Sequence, residues 1–172
     1  MAASTNSADV SARIVNYPSA ALPGVPPFVA VAPDGWISAS SPSSLVVIHE
    51  PEAVEGYFAN AVIEHTRVAR SVDFKRASQV TWAKVQREAP DVKARFERMA
   101  QFGNNRVYLR GAEMTAPANK RAFSQLHSLS FAPAADDAKL VDLFQITCTV
   151  PSNRIDAVGP LFMEIISSFR FA

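Results

Sequence analysis

Cysteine occurs once in the 172 residues, as Cys148. That excludes an internal disulfide and a cysteine-based zinc site. Cys148 sits in an apolar strand with no histidine near it in sequence, which favours packing over a nucleophilic role. Long apolar runs are missing too, and no stretch reaches the roughly 20 residues of a membrane-spanning helix. Met1-Ala-Ala-Ser-Thr-Asn-Ser7 has neither the basic n-region nor the apolar h-region of an export signal. As written the chain reads as cytoplasmic, and as exported or envelope-anchored if an N-terminal signal was removed. Excess charge of one sign is lacking: the net charge of +1 gives no global reason to expect nucleic acid or an anionic membrane as partner. Gly-x-Gly-x-x-Gly, Walker and Gly-x-Ser-x-Gly patterns are absent, which removes the common nucleotide and hydrolase readings.

What is present is a globular composition, 48% hydrophobic with 19% charged residues, long enough to enclose a sizeable core. The charge is unevenly spread. Residues 61–130 carry 13 Lys/Arg against 6 Asp/Glu, with acidic flanks on either side, and a solvated basic face is the simplest account.

Residues 1–27 are small, polar and proline-rich and read as a flexible leader lying along the surface, with a single domain expected over 28–172. Phe28–Ala32 and Trp36–Ala39 read as a short hairpin around the turn Pro33-Asp34-Gly35. A loop at Ser40–Ser44 and a strand at Leu45–His49 follow, then an acidic loop, Glu50–Gly56. Ala61–Val68 alternates as a strand, and Asp73 caps a predicted helix to about Glu88 with Phe74, Ala77, Thr81 and Val85 as a narrow apolar stripe and Trp82 beside it. Ala94–Gln101, Arg106–Met114 and Arg121–Phe131 form a meander around turn-rich joints.

The stretch around which these elements are expected to assemble is Lys139–Ala172. In Lys139–Val150, Leu140, Phe144, Ile146, Cys148 and Val150 share a dry face with Asp142, and Gln145, Thr147 and Thr149 lie on a damper one. Pro151-Ser152-Asn153 stops the strand and offers helix caps. Ile155, Val158, Phe162, Ile165, Ile166 and Phe169 then recur at helical spacing, with Glu164 and Ser168 on the opposite, exposed side. An α+β fold results: an antiparallel β-sheet covered by helices, an α/β/α sandwich.

The order of landmarks, with Pro33-Asp34-Gly35-Trp36 after a short first strand and Ile165-Ile-Ser-Ser-Phe-Arg-Phe171 at the close, resembles the Mog/PsbP-like fold family. Its relatives include PsbP, DcrB, LpqN-type proteins and DcrB-related secretion effector chaperones. The resemblance covers residues 28–171. It implies binding or scaffolding, with no shared catalytic residues to carry over. Two features depart from it: there is no lipobox cysteine of the LpqN or DcrB kind, and Gly159-Pro160 falls inside the final helix, where proline should kink it or delay its regular start.

His49, His65 and His127 lie on three predicted strands, but their spacing is no metal motif and unrelated strand histidines explain them better. Glu50, Glu52 and Glu55 lack the pattern of a calcium loop and read as solvated. Arg106, Tyr108 and Arg110 alternate on one strand face. Basic and aromatic residues so interleaved can bind nucleic acid, yet alternation on a half-exposed sheet accounts for them, and Tyr with Arg is what protein interfaces favour. The expected function is a non-enzymatic protein-binding module, adaptor or chaperone-like, docking a partner through its sheet face or loops, with Trp36, Arg106, Tyr108 and Arg110 as binding residues. No cofactor or metal is expected. The alternatives are a carrier of an apolar small molecule or lipid, an LpqN-like envelope protein, and, from another class, an enzyme using His65 or His127 as a base.

Overall fold

The structure, a computed structural model, describes Pro18 and residues 23–172. Most of the expected leader lies outside the described residues. Its last part, residues 23–27, is tied down: the Arg67 guanidinium donates to the Pro23 and Gly24 carbonyls, and the Ala172 N–H donates to the Pro27 carbonyl.

The strand Leu140–Pro151 (β8) is the centre of a seven-stranded antiparallel sheet. On one side it pairs with β4 (Asn60–Ala69), which carries β3 (Ser44–His49) and β2 (Ile37–Ser41) outward. On the other it pairs with β7 (Ala122–Phe131), followed by β6 (Asn105–Thr115) and β5 (Lys93–Phe102). The sequence reading places these strands within a few residues. It differs at the start, where the expected hairpin of Phe28–Ala32 with Trp36–Ala39 does not form. Phe28–Val29 (β1) pairs instead with Arg170–Phe171 (β9) as a separate two-stranded ribbon, and β2 pairs with β3 through a tight turn at Pro42-Ser43. The apolar side chain of Phe28 finds its partners at the far end of the chain, packing on Phe144 and Phe169 with ring centroids 5.6 and 5.2 Å away.

Alternation gives the sheet two unlike faces. Register puts Ile63 beside Ile146, Ala61 beside Cys148 and Leu126 beside Cys148 on the dry face. The closing helix, Ile155–Ser168, lies on it with Val158, Phe162, Ile165 and Ile166 buried, and Phe169 buried just beyond its end. A 3-10 turn, Ser152–Arg154, leads into this helix with no side-chain cap, so the caps expected at residues 152–153 are not used. Pro160 stays within the helix on its exposed side, where the missing N–H and the crowded carbonyl one turn back face water.

The helix start is held by charge. Arg154 donates to both carboxylate oxygens of Glu50, and the Ala59 N–H donates to the same carboxylate at 2.8 Å. Glu50 is therefore buried and paired, not solvated as its acidic loop suggested. Burial alone would raise its carboxyl, but the hydrogen bonds from Arg154 and Ala59 and the Arg154 charge outweigh that and hold it below the usual range.

The central helix, Phe74–Glu88, lies on the other face, as the stripe predicts. Asp73 caps it, accepting from the Arg76 N–H at 2.8 Å, and Ala89 leaves helical conformation before Pro90. Its contacts with the sheet are Ala77 and Phe74 against Tyr108, Leu129 and Leu143, and Val85 with Trp82 near Ala112 and Met114.

Truncating the buried stripe of the closing helix should cost about 3–5 kcal/mol for Phe162→Ala and about 2–5 for Ile166→Ala, measured by denaturant unfolding. Glu164→Ala should change stability by no more than about 0.5 kcal/mol. Ser168 departs from its expected exposure: it is half-buried, and its hydroxyl accepts from the Val31 N–H at 2.9 Å. Ser168→Ala should therefore cost about 1 kcal/mol.

Candidate functional site

A groove runs between the central helix and the β4–β8–β7 part of the sheet, because that helix packs over β6, β7 and Leu143 at one end of β8 and leaves the rest of β8 and its neighbours open. It consists of two adjoining cavities of about 590 and about 630 Å3 that share Glu64, Thr81, Lys84 and Gln145. Register explains its floor: His127 stands opposite Thr147, Gln125 opposite Thr149, and Glu64 opposite Gln145. The amides are oriented, with Gln125 donating to the Thr149 hydroxyl and Gln145 to the Thr147 hydroxyl, both at 3.1 Å. Apolar surface comes from Val62, Val68 and Leu143 below and from Val80 and Val85 on the helix. Arg76, Lys84 and Arg87 follow one another along the helix wall.

His127 is the unusual member. It is 6% exposed and its Nε2 has no hydrogen-bond partner among the described residues. Burial, with the nearby Arg110 charge second, lowers its pKa from 6.5 to about 4, so the ring is neutral at pH 7. A buried ring nitrogen without a partner costs free energy unless something entering the groove satisfies it.

The four residues expected to bind do not share one surface. Tyr108 and Arg110 occupy one strand face, as alternation predicts, but that face lies under the central helix: Arg110 is 5% exposed and Tyr108 9%. Arg110 is a buried strut, donating to Glu97 at 3.0 Å and to the Ser78 carbonyl at 3.2 Å, with its guanidinium 4.4 Å from the Trp82 ring centre. The expectation of an exposed Tyr-Arg docking face thus fails for these two. Arg106 remains exposed at the end of the strand, its guanidinium over Phe74 at 5.8 Å. Trp36 belongs to the opposite face, half-buried edge-on against Phe162.

The three histidines do not converge. His65 is on the dry face, its Nε2 2.7 Å from Asp142, which also accepts from Arg67 at 2.9 Å, while its ring packs on Phe144. His49 lies at the β3 end with Nδ1 donating to the Glu50 carbonyl, and His127 lies in the groove. Among the described residues no group of three His, Cys, Asp or Glu side chains is placed to hold a metal ion. Cys148 is fully enclosed, and burial pushes its thiol up, away from thiolate chemistry. Reading single residues missed Gln145, Thr147 and Lys84 as groove residues. The signal was the damp side of β8, which is the groove floor.

The arrangement of one antiparallel sheet between a closing helix and a central helix defines an α+β sandwich with a side groove. In overall shape the chain is similar to LpqN of Mycobacterium tuberculosis, which is involved in cell envelope biogenesis. The TM-score is 0.69 at 13% identity over 87% of this chain and 86% of that one. CyanoP, the PsbP of Synechocystis sp. PCC 6803, gives 0.58 at 16% identity over 84% and 86%. The Ran-binding protein Mog1p of Saccharomyces cerevisiae gives 0.56 at 16% identity over 84% and 89%. No family model and no curated protein matches the sequence, so the likeness rests on shape. The fold is the Mog/PsbP-like fold. Among the described residues no helix is long and apolar enough to cross a membrane.

His127 makes stability depend on pH with a definite sign. Its folded pKa is depressed to about 4, so between about pH 4 and 6.5 the unfolded chain holds a proton that the folded chain does not, and stability falls as pH falls through that window. The contribution is about 3 kcal/mol by linkage. Unfolding of wild type and His127→Gln at pH 4.5 and 7 should show the variant losing less stability on acidification.

Proposed function

We propose that this chain is a non-catalytic binding module that holds an elongated amphipathic small molecule in the groove between the central helix and the sheet. The reading is carried by His127, a buried neutral ring nitrogen without a partner in the floor of an open cavity. The ligand presents an uncharged hydrogen-bonding group to His127, Gln145, Thr147 and Thr149 and lays an apolar body along Leu143, Val68 and Val80. Charge is not favoured at the inner end, where His127, Gln145, Thr147 and Thr149 are neutral and Arg110, whose charge reaches His127, is already paired with Glu97. At the rim, Lys84 and Arg87 remain at the helix wall to meet water or a polar tail.

A second reading, a protein partner, is supported by the edge strand β5. Phe96 is 44% and Met99 41% exposed there, one on each face of the strand. The Ran-binding activity of Mog1p gives that reading a precedent in the fold.

Native mass spectrometry of the chain recovered from its own host should show a bound small molecule that is lost in Thr147→Phe, a substitution that fills the groove. Repeated recovery at the bare chain mass would overturn the ligand reading. Co-purification of a partner lost on Phe96→Ala with Met99→Ala would establish the second one.

A further inference from the structure

A separate cleft of about 670 Å3 opens at the other end of the molecule, where the β5–β6 turn, the end of the closing helix and the start of the central helix meet. Its walls are aromatic: Phe74, Phe102, Phe131 and Phe171 line it, all half-buried. Phe74 and Phe131 are set edge to face at 5.0 Å, and the Arg106 guanidinium lies over the Phe74 ring at 5.8 Å, so a planar group would seat beside that cation among the rings. Two exposed arginines, Arg106 and Arg170, line the same cleft. Neither has a carboxylate partner among the described residues, a state they share with Arg70, Arg76, Arg87 and Arg98. Among the described residues no acidic side chain lines the cleft.

Two of the groups that could repel an anion there are engaged. Asp73, next to Phe74, is turned onto its own helix as the acceptor of the Arg76 N–H. The Phe169 carbonyl, at the end of the closing helix, accepts from the Asn105 side-chain amide at 3.2 Å. That hydrogen bond satisfies one carbonyl at the partially negative end of the helix.

We infer that this cleft is a second binding site, for a small aryl carboxylate: a flat apolar body seated among the phenylalanines, with its carboxylate held by Arg106 and Arg170. Guanidinium groups bind carboxylates through paired, charge-assisted hydrogen bonds. The volume suits a small molecule, and two arginines beside four rings supply one anionic contact with a large apolar one. This site is independent of the groove, sharing none of its residues except Phe74's helix as common support.

The test is fluorescence and NMR titration of the full chain with naphthalene-2-carboxylate, its neutral carboxamide and inorganic phosphate. The expected result is saturable binding of the carboxylate below about 1 mM, with shifts at Gly103 and Asn104, weakening as salt is raised. Arg106→Gln and Arg170→Gln should each weaken it about tenfold or more, as removal of a charge-assisted hydrogen bond does. Both residues are exposed, and unchanged unfolding midpoints would confirm intact folds. The carboxamide should bind at least about tenfold more weakly. Equal binding of the carboxamide, undiminished binding by the double variant, phosphate binding as tightly as the aryl acid, or no saturation by about 10 mM would each overturn the proposal.

Discussion

Everything in this molecule depends on the apolar burial at one face of β8. Phe144, Ile146, Cys148 and Val150 are fully enclosed there, and Phe162, Ile165, Ile166 and Phe169 close over them. Each such side chain contributes about 1.5–3 kcal/mol on burial, and the aromatic contacts among Phe28, Phe144, Phe169 and Phe171 bring both ends of the described chain into the same cluster. Because side chains alternate with a strict period of two, committing these residues to the core commits Gln145, Thr147 and Thr149 to the opposite face. The dry face holds the fold together, and the damp face is thereby left for other uses.

How the damp face is used follows from the narrowness of the central helix's stripe. A helix with a wider apolar face would have sealed β4 and β8 as well. With Thr81 and Lys84 turned toward them, it covers Tyr108, Arg110 and Leu129 and stands away from Glu64, Gln145 and Thr147. Arg110 shows the accompanying cost and compensation. A buried guanidinium is tolerated because Glu97, the Ser78 carbonyl and the Trp82 ring all meet it. Its positive charge in turn helps keep His127 neutral.

Much of this was legible in the sequence. The Asp73 cap, the Ala89-Pro90 stop, the strand alternation and the closing stripe are local signals, and each acts through neighbours a few residues away. The order of landmarks pointed to the Mog/PsbP-like fold for the same reason. What could not be read depends on distant pairings. Nothing near Phe28 announces that its strand partner is Phe171, and nothing near Glu50 announces Arg154, 104 residues on. Alternation placed Tyr108 and Arg110 correctly on one face but carried no information about which element covers that face. The candidate site suffered most, since a groove is a property of what two elements fail to touch.

The position of β8 has a further consequence for how the chain reaches this state. It is the bridge between β2–β3–β4 and β7–β6–β5, yet it lies near the end of the sequence. During synthesis the two outer three-stranded halves can each assemble through short antiparallel connections, but each then presents an open edge, β4 on one and β7 on the other. Their pairing partner is residues 140–151, and closure between strands distant in sequence is intrinsically slow. In that interval each half is a template for mispairing with another copy. Because β8, alone among the described strands, pairs with both β4 and β7, the two halves are joined only when it is in place, and the edges it covers are ones that the finished molecule no longer exposes.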